Sequence, residues 1–425
     1  MSLKPYMSQL EKLNDTDQRA LKFLSGRKDA MVEKAKQWSA INTYSGNLQG
    51  LQKFAAILQE ELAQLDCSID VIETPPMEKV ADDGSIIQTF TAPVIEARAR
   101  VNASVQVVLT GHYDTVFPEG TFEQITDIGD GKLNGPGLAD MKGGIIVMIE
   151  ALKALERSEL KNDIRYHIVL TPDEETGNFA SRDRLELAAK AAQIGLTFEP
   201  SMETGAMSGA RKGSAIFDVI LNGRAAHAGR NPEGGKSAIH AAAKFTDKLE
   251  NLNFVRDGVS FNVGKIDGGG PNNIVPALAI VRFGVRAPDE EASQWAIDQI
   301  DKLLAEVCEL DGISGHIHGG FYRPPKPRNK AQETLFQATK QTGHALGLDL
   351  EFVDTGGVCE GNNVFAAGTP NIDTLGVRGG RIHSHDEFVV TDSFEERAKL
   401  ALLLLLRIAD GRINAAQIKS LMKAS

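Results

Sequence analysis

The sequence predicts an α/β fold with a mixed, mostly parallel sheet flanked by helices, interrupted by a small inserted α+β unit. Three observations predict it. A buried-strand pattern at 105–110 is followed by a helical pattern at 142–155 and a second strand pattern at 164–171. Such alternation builds parallel sheets with crossover helices. Between 215 and 319 the order becomes strand, helix, strand, strand, helix, strand, which is the ferredoxin-like order. Beyond about Tyr322 helical patterns at 331–345 and 393–408 restore the first character. One core rarely grows past roughly 250–300 residues. The 425 residues are therefore divided into one domain made of 1–209 and 322–425 and an insert of 210–321.

Each element has its own signal. Apolar residues recur at three- and four-residue spacings in 31–39 and 48–64, as on one face of a helix. Strands are expected at 68–73 and 94–100, with turn-like residues between them. The run VQVVLT at 105–110 is apolar almost throughout, as in a strand covered on both faces. In the insert, strands are expected at 215–221, 259–266, 279–286 and 315–319, and helices at 237–252 and 290–310.

Composition removes several function classes. The formal net charge of −11 disfavours nucleic acid and anionic membrane as partners, since both require a basic face. Cys67, Cys308 and Cys359 are odd in number and far apart, so neither a disulfide framework nor a thiolate zinc site is expected, and a reducing, cytoplasmic setting is. The N-terminal stretch is polar, without the apolar core of a secretory signal, and no apolar run is long enough to span a bilayer.

The chemistry-bearing residues fall into five clusters. Gly111-His112-Tyr113-Asp114 follows the 105–110 strand directly, and ligands of open α/β sheets gather at the carboxyl ends of strands. His112 and Asp114 point the same way if the chain stays extended, so the carboxylate can orient the imidazole of a metal-binding histidine. The pair also occurs in ordinary polar loops. In Asn134-Gly-Pro-Gly-Leu-Ala-Asp140-Met-Lys-Gly-Gly144, Asp140 stands just before a helix, where it is also a good N-cap. A nucleotide-binding loop fails here, because the third glycine position is Asp140 and no strand leads straight into it. Asp173-Glu174-Glu175 ends the 164–171 strand. Adjacent carboxylates repel unless a cation sits among them, and two of them can divide metal binding from proton handling. Glu199-Pro200 follows an apolar stretch, and His383-Ser-His385-Asp-Glu387 comes late. Nitrogen and oxygen donors without sulfur suit zinc and related ions.

GHYDTV, NGPGLADMKGG, TPDEETG, EP and HSHDEF, in this order across about residues 40 to 410, resemble the signatures of the M20 family of metallopeptidases, and most closely its glutamate-carboxypeptidase branch. The resemblance implies a zinc-peptidase-like catalytic domain with two zinc ions, for which cobalt or manganese are substitutes. It implies that His112 and Glu199 hold one ion, Glu175 and His383 the other, and Asp140 both, with a cis peptide at Asp140–Met141. It makes Glu174 the general base and acid and Asp114 the residue that orients His112. The family's His-x-x-Asp-Glu pattern selects His383, with His385 as the alternative.

The insert matches the family's lid and usual dimerisation domain. His227, in Gly223-Arg-Ala-Ala-His-Ala-Gly229, matches a lid histidine that reaches the partner subunit's site, and Asn273 and Arg286 match substrate-binding lid positions. The planar fork of arginine suits a substrate carboxylate. The implied substrate is a short peptide or N-acyl amino acid with a free C-terminal carboxylate. The alternatives are an aminopeptidase or dipeptidase reading a free α-amine, and a silent peptide-binding homologue. Gly356-Gly-Val-Cys359-Glu360-Gly361 departs from the family's usual Gly-Gly-x-Ser-Asp-Gly in a segment that shapes the substrate pocket.

Overall fold

The computed structural model describes residues 8–424, so residues 1–7 of the polar N-terminal stretch and Ser425 lie outside the described residues. The main sheet has six strands, in the order Ser68–Ile72, Val94–Ala99, Ile164–Thr171, Val105–His112, Ile194–Thr197 and Asn371–Ile372. The last four run parallel, and Val94–Ala99 is antiparallel to both its neighbours. Period-two alternation splits the central strands between two faces. Val107, Leu109, Ile168 and Leu170 join the large core beneath helices Leu48–Leu62, Gly143–Leu155 and Ser393–Ala409. Val108 and Val169 join a smaller core under helix Arg182–Ala191.

The expected ferredoxin-like unit is present. Strands Gly213–Asn222, Ser260–Gly268, Leu278–Ala287 and Ser314–Arg323 form an antiparallel sheet. Helices Ala238–Glu250 and Glu290–Cys308 pack on one face, enclosing a separate core that includes Phe217, Phe245 and Phe283.

The chain enters this unit at Arg211 and leaves it at Lys326. Those two residues pair through both backbone bonds, 2.9 and 3.0 Å long. Their side chains converge on Asp373, with Arg211 Nε at 2.7 Å and Lys326 Nζ at 2.6 Å from the same carboxylate oxygen. Asp373 and Lys326 are fully buried.

Two features were not expected. Turn-like residues 77–89 form a hairpin of Met77–Val80 and Ile86–Thr89. It lies against the ferredoxin-like sheet, where Val80 packs with Ile220 and Ile280 and Arg282 donates to Val80 O at 3.1 Å. A second, five-stranded sheet is built from strands of only two to four residues: Ser201–Met202, Arg378–Gly380, Phe388–Val390, Lys132–Asn134 and Thr126–Gly129.

Candidate metal centre

The structure divides the implied ligands between two sheets. His112 is the last residue of its strand, and Glu174, Glu175 and Glu199 follow their strands in the six-stranded sheet. Asp140 and His383 are carried by the small sheet. Asp140 lies in the helical turn Leu138–Lys142 after Lys132–Asn134, and His383 in the turn between Arg378–Gly380 and Phe388–Val390. The Asp140–Met141 peptide is cis, as the resemblance implies. Two glycines let these pieces close up. Gly137 has φ +66°, and a Cβ on Gly144 would stand 1.9 Å from the carbonyl oxygen of Phe198, beside Glu199. Only glycine permits that approach of helix Gly143–Leu155 to the strand.

The side chains converge. Asp140 stands between two histidines, with one oxygen 3.1 Å from His112 Nε2 and the other 3.3 Å from His383 Nε2. Glu199 lies 3.6 Å from His112 Nε2 and Glu175 lies 3.2 Å from His383 Nε2. Ligand atoms of His112, Glu174 and Glu199 fall within 4.8 Å of one another, as do those of His112, Asp140 and Glu175. Asp114 meets His112 Nδ1 at 3.3 Å and accepts from the backbone N–H groups of Glu174 and Glu175, both at 3.1 Å. It therefore fixes the histidine and the acidic loop together. His385 is elsewhere, stacked on Phe122 with ring centroids 5.4 Å apart.

The electrostatics suit a bound cation. Burial, together with the charge of Asp140, pushes the carboxyls of Glu175 and Glu199 above their ordinary range. Burial opposes the charge of Asp140 as well, but hydrogen bonds to both histidines hold its carboxyl below that range. His383, bonded to Asp140 and Glu175, is pushed up to about 11. Glu199 Oε1 is buried with no hydrogen-bond partner among the described residues. Nitrogen and oxygen donors, crowded buried carboxylates and an unpaired oxygen fit divalent ions.

His227 and Asn273 are not part of this cluster. Both are exposed, on loops joined by the bond from Ala228 N to Asn273 O, and among the described residues neither makes a hydrogen bond or ion pair with the carboxylates. Arg286 is half-buried in the ferredoxin-like sheet and donates to Ser214 Oγ, which donates in turn to Tyr322 Oη at 2.9 Å.

The contacts of several residues around the site carried no usable signal in the sequence. Arg323 is fully buried and pairs with Glu174. Asp173, the first acid of its run, turns inward to Ser181 Oγ and Ala180 N, and burial pushes it up to about 6. Glu387 accepts from the N–H groups of Ala139 and Asp140 at 3.0 and 3.2 Å. It ties the His383 turn to the Asp140 loop, and burial pushes it up to about 7. Cys359 and Glu360, in the segment expected to shape the substrate pocket, are both buried. Cys359 caps helix Glu360–Ala366, and Glu360 accepts from Thr171 Oγ1 and from Asn178 Nδ2 at 3.3 Å behind the acidic loop.

Residues 108–407 match the model of the family described as Peptidase family M20/M25/M40. The chain is 26% identical to carboxypeptidase G2 of Pseudomonas sp. (strain RS-16) over 390 residues, 90% of each protein. Its fold is similar to that of aminopeptidase PepT from Bacillus cereus ATCC 10987, with TM-score 0.66 and 20% identity, covering 90% of this chain and 99% of that one. It is also similar to the YXEP protein of Bacillus subtilis, described as a dinuclear metal binding peptidase, with TM-score 0.58 and 15% identity, covering 89% and 98%.

Proposed function

The chain belongs to peptidase family M20/M25/M40 and is a metal-dependent hydrolase of peptide bonds; from that premise we propose that it cleaves short peptides or N-acyl amino acids with a free C-terminal carboxylate, using two zinc ions. The observation that carries this reading is Asp140, whose two oxygens are each directed at a different histidine. His112 and Glu199 would hold one ion and His383 and Glu175 the other, with Asp140 available to both. Such ions, when bound, would supply Lewis-acid polarisation of the scissile carbonyl and a lowered pKa for an attacking water.

The chain's own residues do the rest. Glu174 takes a proton from the attacking water and gives it to the leaving amine. Asp114 keeps His112 in register. Arg286, in the sheet that meets the acidic loop through Tyr322 and Arg323, binds the substrate carboxylate and so orients the bond to be cut. Residues 210–321 act as a lid on a catalytic domain of 1–209 and 322–425. Because His227 and Asn273 face outward in their own chain, we assign them to the site of a second copy in a homodimer, with His227 donating to the developing oxyanion. The free cysteines support a cytoplasmic setting.

The test is a panel of N-acyl amino acids and dipeptides with free or amidated C-termini, each with and without a chelator. Chelator-sensitive cleavage of the free-carboxylate members alone is expected. Arg286→Ala should lower their kcat/KM by about 10- to 150-fold, equivalent to the ~1.5–3 kcal/mol of hydrogen bonds to a charged group. Cleavage indifferent to the C-terminus would remove the carboxylate reading and leave the metal centre.

A further inference from the structure

Arg323 is the last residue of the ferredoxin-like strand Ser314–Arg323, yet its guanidinium is fully buried in the wall of the metal centre. Nη2 donates to the carboxylate of Glu174 at 2.5 Å and to the Glu174 carbonyl oxygen at 3.1 Å. Nη1 donates to Asn363 Oδ1 at 2.8 Å and to Asn178 Oδ1. The two asparagines are held in their turn. Asn178 bonds Ser181 Oγ at 2.8 Å and Glu360 Oε1 at 3.3 Å, and Asn363 donates to Tyr322 O at 3.1 Å. A shift of register beside Ser214 leaves Tyr322 as an extra residue opposite that strand. Such bulges re-aim side chains, and here Tyr322 bonds Ser214 while Arg323 reaches Glu174.

We propose that Arg323 is a positioning residue: it clamps the backbone and the carboxylate of Glu174 at once, and so ties the aim of the proton-transferring group to the seating of the ferredoxin-like sheet. The inference rests on the reading of Glu174 as general base. Two features separate it from a substrate-binding arginine. Both terminal nitrogens are already spent on four protein acceptors, and the group is fully buried, so no open fork is presented to a ligand carboxylate. A catalytic carboxylate acts only when held close to its productive geometry, and a displacement of 1 Å costs about 100-fold. Lysine keeps the charge but replaces the planar fork with a single ammonium of three donors, so it cannot reproduce the geometry that spans both Glu174 acceptors and both asparagines.

The experiment compares wild type, Arg323→Lys, Glu174→Asp and the double variant in kcat and KM, with metal content and Tm recorded for each. The expected result for Arg323→Lys is a fall in kcat of about 100-fold with KM nearly unchanged and with wild-type metal content. In the Glu174→Asp background, whose shorter carboxylate has already left Arg323, the same change should cost only about 3-fold, because residues acting through one another do not add. A full, undiminished loss in the double variant would overturn the proposal, as would a loss confined to KM on free-carboxylate substrates. If Arg323→Lys does not fold, Asn363→Ala loosens the guanidinium without removing it. It should lower kcat about 10-fold through the same misplacement, and unchanged kcat overturns the clamp. Glu174→Gln is the control for the underlying reading. If it retains turnover, Glu174 is not the base; if it is inactive while Arg323→Lys is normal, the base stands and the positioning role falls.

Discussion

Replacing Asp373 with asparagine should be among the most damaging single changes available, although Asp373 touches no part of the metal centre. Its one carboxylate oxygen serves both Arg211 and Lys326, at 2.7 and 2.6 Å, in a fully buried setting. Asparagine keeps the shape and removes the charge, leaving two buried cations with no anion between them. Removing one partner of a buried ion pair costs about 3–5 kcal/mol. At roughly 2.1 cal/mol/K per residue, the unfolding entropy of a 425-residue chain is about 0.9 kcal/mol/K, so the melting temperature should fall by about 3–6 °C. Lys326→Met provides the contrast. It removes a buried ammonium whose own burial pulls its pKa down and leaves the Arg211–Asp373 pair intact, so its cost should be about 0–2 kcal/mol. Calorimetry or urea unfolding of the two variants decides the matter. A drop under about 1 °C for Asp373→Asn, or equal losses in the two variants, would refute the view that this carboxylate holds the two crossings together.

Two further outcomes follow from the site. In metal-free protein, Glu175, Glu199, His112 and His383 all have raised pKa values, so each favours the folded state while protonated and loses that contribution as pH rises through its folded value. Asp140 is shifted the opposite way, but its contribution is lost only at acid pH, below this range. Melting temperature without metal should therefore fall between about pH 5 and 8, and divalent ions should restore it at the upper end; a flat or rising metal-free curve contradicts the linkage. If the proposed homodimer forms, Glu174→Ala and His227→Ala, each inactive alone, should recover about a quarter of wild-type activity when mixed and allowed to exchange. Half of the pairs are then mixed, and each mixed pair has one complete site under two-fold symmetry. No recovery after demonstrated exchange removes His227 from the partner's site.

Most of the centre was legible through the ordered set of motifs that carries the family resemblance, since each cluster alone had an ordinary reading. His112, Glu174, Glu175 and Glu199 follow apolar runs that are also strands, and Asp140 stands in a glycine-rich turn. The two ferredoxin-like helices and their strands were equally plain from spacing. What escaped was structure whose cause lies far away in sequence. Arg323 looks like a surface arginine until Glu174, 149 residues earlier, is placed beside it; charged residues are usually exposed unless paired. Glu360 drew notice only as a departure from a motif, and its partners Thr171 and Asn178 give no local sign of it. The small sheet was invisible because strands of two to four residues are too short to establish a period. The 77–89 hairpin escaped for a related reason: its four-residue strands are mostly exposed and show little alternation.

That hairpin changes what counts as a separable piece. Cut at Arg211 and Lys326, residues 212–325 look like a portable module. Lifted out, the module would lose the cover that Val80 gives to Ile220 and Ile280, and Arg282 would lose its bonds to Val80 O and Asp82. The excised unit would expose a sticky apolar spot, and the remainder would carry a two-stranded arm too small to stand alone. Grafting this unit onto another enzyme of the family therefore calls for moving 77–89 with it, a segment that lies more than a hundred residues upstream of the first cut.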